Sequence, residues 1–167
     1  MNKWLKKVWG ILSTVLVILT VLSAVFLMGS RIMGYRVYTV LTGSMRPAYT
    51  EGDLLFVEPV NAHRVQVGDP ITFVLNEKLT VATHRVVRID HENQLFYTKG
   101  DANGTEDIDP VHFNNLIGIP RFSIPLLGYV STFVQNPPGA YITLAVGVGL
   151  IVLVFLPDFF SKKPREQ

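Results

Sequence analysis

The chain has no cysteine, which removes disulfides, thiolate metal sites and a Cys nucleophile at once. That absence suits an extracytoplasmic domain. Charge is scarce as well: Asp, Glu, Lys and Arg make up 17% of the 167 residues, and two long stretches carry none. No pair among the four histidines has metal-ligand spacing on one helix face or strand, so no zinc site and no metal cofactor are expected. An excess of positive charge is missing from the middle of the chain. Between Ser30 and Pro138 nine Lys and Arg face eleven Asp and Glu. The net charge of +2 comes from the ends, from Lys3, Lys6 and Lys7 and from Lys162, Lys163 and Arg165. That distribution argues against a nucleic-acid partner. Internal repeats and low-complexity tracts are absent too.

What is present divides by position. Val8 to Met28 is uncharged, and as a helix it is roughly 31 Å long, close to a hydrocarbon core of about 30 Å. A cleaved signal peptide is the alternative, but its apolar region is shorter and is followed by a small-x-small site. Here bulky and basic Arg31, Ile32 and Met33 follow. After the Asn136-Pro137-Pro138-Gly139 break, Ala140 to Leu156 is a second uncharged run. It is read as a returning span, with a re-entrant or interfacial segment as the alternative. Length allows one domain of ordinary size, or a smaller one with membrane segments. The expected division is a cytoplasmic tail and anchor over 1–29, a β-rich domain over 30–130, a linker and second transmembrane helix over 131–157, and a basic cytoplasmic tail over 158–167. Basic tails on both spans place the β-domain on the opposite, extracytoplasmic side, although Arg31 and Arg36 run mildly against this.

The middle reads as strands. Tyr35 to Leu41, Asp53 to Val60, Ile71 to Leu75, Leu79 to Ile89 and Gln94 to Lys99 are rich in β-branched and aromatic residues and are separated by turn signals. Asn76-Glu77-Lys78 has the composition of a hairpin tip. Val111 to Ile119 is a short last strand. Ile119 to Val130 is apolar but holds two prolines, which suits either core or a surface in the headgroup region.

Chemistry centres on Val40 to Asp53, V-L-T-G-S-M-R-P-A-Y-T-E-G-D, where a strand ends and a hydroxyl-rich turn carries Ser44 ahead of Pro47. A serine hydroxyl needs a base and oxyanion donors to act as a nucleophile. An imidazole, with an ordinary pKa near 6.5, is a suitable base. His84 sits in mid-strand between Thr83 and Arg85, although spacing alone favours a solvent-facing histidine. His63 and His91 have turn-like surroundings and His112 is close to Pro110, so all three are read as surface residues. The loop Gly100 to Pro110 supplies Asp101, Glu106, Asp107 and Asp109, any of which fits a solvated turn or a carboxylate that orients the imidazole. Calcium is the other reading of its oxygen ligands, but the closing Glu of a calcium loop is missing. Lys78 and Lys99 are the alternative bases of a Ser-Lys site; neither lies in an apolar run that would depress its pKa.

Taken in order, an anchor, Gly43-Ser44-Met45 with Pro47, Gly52-Asp53, Gly68-Asp69, Thr83-His84-Arg85-Val86 and Lys99-Gly100-Asp101 with Asn103 and further acids resemble the type I signal peptidases. The likeness covers about residues 30 to 130. It is nearest to the branch with His in place of the usual bacterial Lys, found in archaea, some Gram-positive bacteria and the catalytic subunit of the endoplasmic-reticulum complex. The resemblance implies a mainly β, signal-peptidase-like catalytic domain flanked by two transmembrane helices, and cleavage of signal peptides from exported preproteins without a cofactor. It implies Ser44 as nucleophile and His84 as general base. Asp107 or Asp101 falls on the acidic motif, and Thr42 with the Ser44 N–H falls on the oxyanion site. Two departures from the pattern stand out: Ala102 where Asn is usual after Gly-Asp, and Thr42 where Ser is usual. Partners implied are preprotein signal peptides, membrane lipid, and secretion machinery or accessory subunits. The location implied is the cell or endoplasmic-reticulum membrane.

Two alternatives are a Ser-Lys peptidase of related fold that cuts itself or a regulator, and a non-catalytic membrane subunit. A channel is excluded, since the apolar runs carry no charge to line a path. Protease added outside sealed vesicles that expose the extracytoplasmic face should digest 30–130 and spare both basic tails; digestion of the tails with a protected β-domain would reverse the topology.

Overall fold

The computed structural model describes residues 3–75 and 80–161. The expected Asn76–Lys78 hairpin tip, and Lys78 with it, lies outside the described residues. Residues Ser30–Thr132 form one compact unit. Its seven strands are β1 (Arg36–Thr39), β2 (Leu54–Glu58), β3 (Pro70–Val74), β4 (Val81–Asp90), β5 (Leu95–Lys99), β6 (Val111–His112) and β7 (Leu116–Ile124). They form a single sheet in the order β1-β2-β7-β3-β4-β5-β6, and every pairing is antiparallel. The protein is therefore mainly β across this unit.

β2 reads LLFV without alternation because both of its faces are covered. Leu55 and Val57 enter a cluster with Ile117, and Tyr38, Val40 and Tyr49 pack against it. Phe56, pointing the other way, is fully buried and stacks on Phe122 at 4.5 Å. A second cluster joins Ile71 and Phe73 of β3, Val86 of β4 and Phe96 of β5 with Phe113. Phe96 and Phe113 stack at 4.4 Å. His84 stands opposite Ile71 in the β3–β4 register. It therefore belongs to the apolar face of β4, while Arg85 belongs to the other.

β7 runs further than the short strand expected over 111–119. Pro120 is tolerated because it stands where the β2–β7 ladder slips between Phe56 and Val57, beyond the residues that pair with β3. Gly118 lies so close to β2 that a Cβ there would sit 2.1 Å from the Glu58 carbonyl oxygen. The segment 119–130, expected as core or as a membrane-facing surface, is the end of β7 followed by helix α2 (Leu127–Gln135); Ile119 is buried in the second cluster, whereas Phe122, Leu126, Tyr129 and Val130 are exposed. Gly128 donates its N–H to the Gly52 carbonyl at 2.9 Å and has no room for a Cβ against that backbone. β3 is an inner strand, lying between β7 and β4. β1 is an edge.

Two longer helices are present, α1 (Lys3–Ile32) near the start and α3 (Gly139–Ser161) near the end. Among the described residues, no helix is long and apolar enough to cross a membrane. The two spans expected from the sequence accordingly do not follow from the fold.

Phe96→Ala should lower stability by about 3–5 kcal/mol, because it empties a closed stack. Ile108→Ala, at a side chain 97% exposed, should change it by less than about 0.5 kcal/mol. Thermal or denaturant unfolding in detergent reads both, and equal losses would contradict the core described.

Candidate active site

Ser44 lies in the single 3₁₀ turn Gly43–Met45 that follows β1. Thr42 ahead of it is extended, and Met45 is 2% exposed, so the turn is pinned by one apolar side chain. Tyr49 N–H donates to the Met45 carbonyl at 3.0 Å, which closes the loop toward β2. Burial pushes the Tyr49 phenol's pKa up, so it stays protonated at neutral pH.

The Ser44 carbonyl is gripped from across the sheet. Ala102 N–H donates to it at 2.9 Å, and a Cβ at Gly100 would stand 2.7 Å from the same oxygen. The Gly100-to-Pro110 loop thus packs on the Ser44 turn at its start. Further along, it presents Asp107.

Three side chains come together there. His84 Nδ1 is 2.5 Å from Asp107 Oδ2, and His84 Nε2 is 3.2 Å from Ser44 Oγ. A carboxylate can only accept, so Nδ1 carries the proton. In a neutral imidazole Nε2 is then the acceptor, and the Ser44 hydroxyl donates to it. Thr42 Oγ1 lies 3.4 Å from Ser44 Oγ. Thr98 Oγ1 donates to Asp107 Oδ2 at 2.7 Å, and Asp107 N–H donates to the Thr98 carbonyl at 2.8 Å. The His84 and Asp107 side chains are 16% and 23% exposed, sheltered enough to favour these bonds over water and still reachable.

The two acids offered by the sequence separate. Asp107 meets the imidazole. Asp101 makes a two-point pair with Arg85, Nε to Oδ1 at 2.7 Å and Nη2 to Oδ2 at 2.6 Å. Arg85 Nη1 also donates to the Gly68 carbonyl at 2.8 Å. The hydrogen bonds that it donates to Asp101 hold the guanidinium's pKa above its ordinary value. Lys99 pairs with Arg85 in the β4–β5 register, on the face of β4 opposite His84. His63 and His91 stand edge-on to Phe113, and His112 accepts from the Asn114 N–H, all apart from this site. Among the described residues no group of three His, Asp or Glu is arranged to hold a metal ion.

Three features of the site escaped the sequence reading: the Thr98 hydroxyl, the Arg85–Asp101 pair and the Ala102 N–H. Thr98 did leave a signal. It shares the buried face of β5 with Phe96, and a hydroxyl at a core position implies a partner. A backbone N–H leaves none.

A hydroxyl, an imidazole and a carboxylate linked in this order, with the hydroxyl on a tight turn, are the arrangement of a serine hydrolase. No family model matches the chain. Among curated proteins, it is 31% identical over 137 residues to the signal peptidase complex catalytic subunit SEC11 of Candida albicans, an alignment covering 76% of this chain and 78% of that one. It is 32% identical over 130 residues to SEC11 of Zygosaccharomyces rouxii, covering 71% and 77% of the two chains, and to SEC11 of Saccharomyces cerevisiae with the same coverage. The chain belongs to the signal peptidase family, in the branch of the catalytic subunit SEC11. It is an enzyme, a serine endopeptidase.

Arg85→Met should leave Asp101 without its counter-charge and cost about 1–2 kcal/mol of stability, discounted for partial exposure. Asp101→Asn should cost less, since the amide oxygen still accepts one bond. A thermal-shift comparison in detergent checks this; an unchanged Arg85→Met protein would show the pair to be ornamental.

Proposed function

We propose that the chain is a membrane-bound serine endopeptidase that removes signal peptides from exported preproteins, with Ser44 as nucleophile, His84 as general base and Asp107 orienting the imidazole. The observation that carries this reading is the 3.2 Å approach of Ser44 Oγ to His84 Nε2, with Nδ1 directed at Asp107. Asp101 acts through Arg85, as a positioning residue. The catalytic domain is 30–130, with the anchor over 1–29, the linker and second span over 131–157 and a basic tail over 158–167.

In the reaction, His84 Nε2 takes the hydroxyl proton as Ser44 Oγ attacks the scissile carbonyl. The oxyanion that forms is held by the Ser44 N–H and the Thr42 hydroxyl, which stands beside the nucleophile. Asp107 stabilises the imidazolium, and Thr98 fixes the carboxylate. The imidazolium then protonates the leaving amine, and water, activated by the same imidazole, hydrolyses the ester. The substrate is an extended peptide, which can add to the free edge of β1. Placing the domain at the bilayer surface brings it to substrates whose apolar segments lie in the same membrane.

The membrane reading is supported by the sequence, through the uncharged runs Val8–Met28 and Ala140–Leu156 and the basic residues outside them. The membrane is that of the cell or the endoplasmic reticulum. Because the relatives are named as subunits of a complex, accessory subunits are partners to seek.

Purified full-length protein in detergent should cleave a preprotein. Ser44→Ala and His84→Ala should each lose at least about a thousandfold in kcat/KM. Asp107→Asn should lose about 10³–10⁴-fold and Asp101→Asn far less. Processing by Ser44→Ala at the wild-type rate would end this mechanism, and Asp101→Asn falling as far as Asp107→Asn would reassign the third residue.

A further inference from the structure

A cleft of about 710 Å³ opens beside His84. β3 and the residues after it contribute Phe73 and Leu75, β4 contributes Ala82, and the loop over residues 102–109 supplies the rest of the wall. Ser44 does not line it; His84 and Asp107 do. Glu106 and Asp109 line the same wall, and among the described residues neither has an ion-pair partner. Ile108 between them is 97% exposed.

We propose that this cleft receives the leaving side of the substrate, the first residues of the mature segment after the scissile bond, and that Glu106 and Asp109 select against acidic side chains there. The proposal rests on the assignment of Ser44 and His84. It follows from where the two halves of the substrate must go. When the C–N bond breaks, the acyl half stays bonded to Ser44 Oγ. The proton that Nε2 took from the hydroxyl passes to the departing nitrogen, which leaves as an amine. The departing half therefore runs along the imidazole, and the space that touches the imidazole without touching Ser44 is on its path. Phe73, Leu75 and Ala82 offer that segment an apolar surface, and the carboxylates give the surface a sign. An α-amine has an ordinary pKa near 8, so the new N-terminus is largely an ammonium at pH 7, which two nearby carboxylates favour. Acidic side chains in the first two positions meet repulsion instead. Exposed charge pairs of this kind are individually weak, and the two together amount to about a threefold to tenfold effect on kcat/KM.

The test uses full-length protein in detergent and three preprotein peptides that differ only in the first two residues after the cut: Ala-Ala, Lys-Lys and Glu-Glu. The wild type should cleave Lys-Lys about threefold to tenfold better than Glu-Glu, with the gap closing in high salt. The ratio should fall to within about twofold in the Glu106→Gln/Asp109→Asn double variant and invert in Glu106→Lys/Asp109→Lys. Ratios taken within each enzyme cancel any loss of folded protein. An unchanged ranking in both variants overturns the cleft assignment, and so does discrimination that appears only when charge is placed before the cut. Ser44→Ala separates the two levels: cleavage by that variant overturns the nucleophile, whereas an inert Ser44→Ala beside a wild type that cleaves Lys-Lys and Glu-Glu alike overturns the cleft alone. A wild type that cleaves none of the three overturns both.

Discussion

The site depends on the loop that leaves β5 at Lys99, because its residues hold both Ser44 and His84. Its Ala102 N–H fixes the carbonyl of Ser44, and Gly100 lets it approach that oxygen at a distance no side chain would permit. A few residues later Asp107 fixes the imidazole. Ser44 and His84 belong to elements forty positions apart, the turn after β1 and strand β4. One short segment of backbone bridges them.

The alternation of β4 then divides the work. His84 points to the face shared with Ile71 and Phe73, where packing limits its rotation; its ring lies 6.3 Å from Phe73, edge to face. Arg85 points the other way and seizes Asp101, in the middle of the loop segment that grips Ser44. Adjacent residues of one strand thus reach the same loop from two sides, and a shift of the strand would disturb both contacts together. Thr98 completes the frame from β5, where its buried hydroxyl keeps the Asp107 carboxylate aimed at Nδ1. Pre-organisation of this sort matters because groups aligned before reaction need not reorder during it.

Much of this was legible in the residues. The Ser44 turn announced itself through its hydroxyls and Pro47, and five strands followed from β-branched runs between turn signals. The rank of Asp101 and Asp107 was not legible, because spacing does not say which way a loop turns; only the fold puts one on Arg85 and the other on His84. β7 and α2 were obscured by the prolines in IPRFSIPLLGYV. Pro120 reads as a strand breaker unless the ladder slip beside it is known, and that slip is a tertiary event.

The proposed mechanism rests on one claim, that Ser44 and His84 act as a single unit. A double-mutant cycle on kcat/KM, with Ser44→Ala, His84→Ala and the two combined, tests it most directly. If the imidazole serves only to activate that hydroxyl and serve its ester, the double variant loses about as much as either single one. Losses that multiply would mean that the two side chains contribute independently, and the account given for this site would be contradicted.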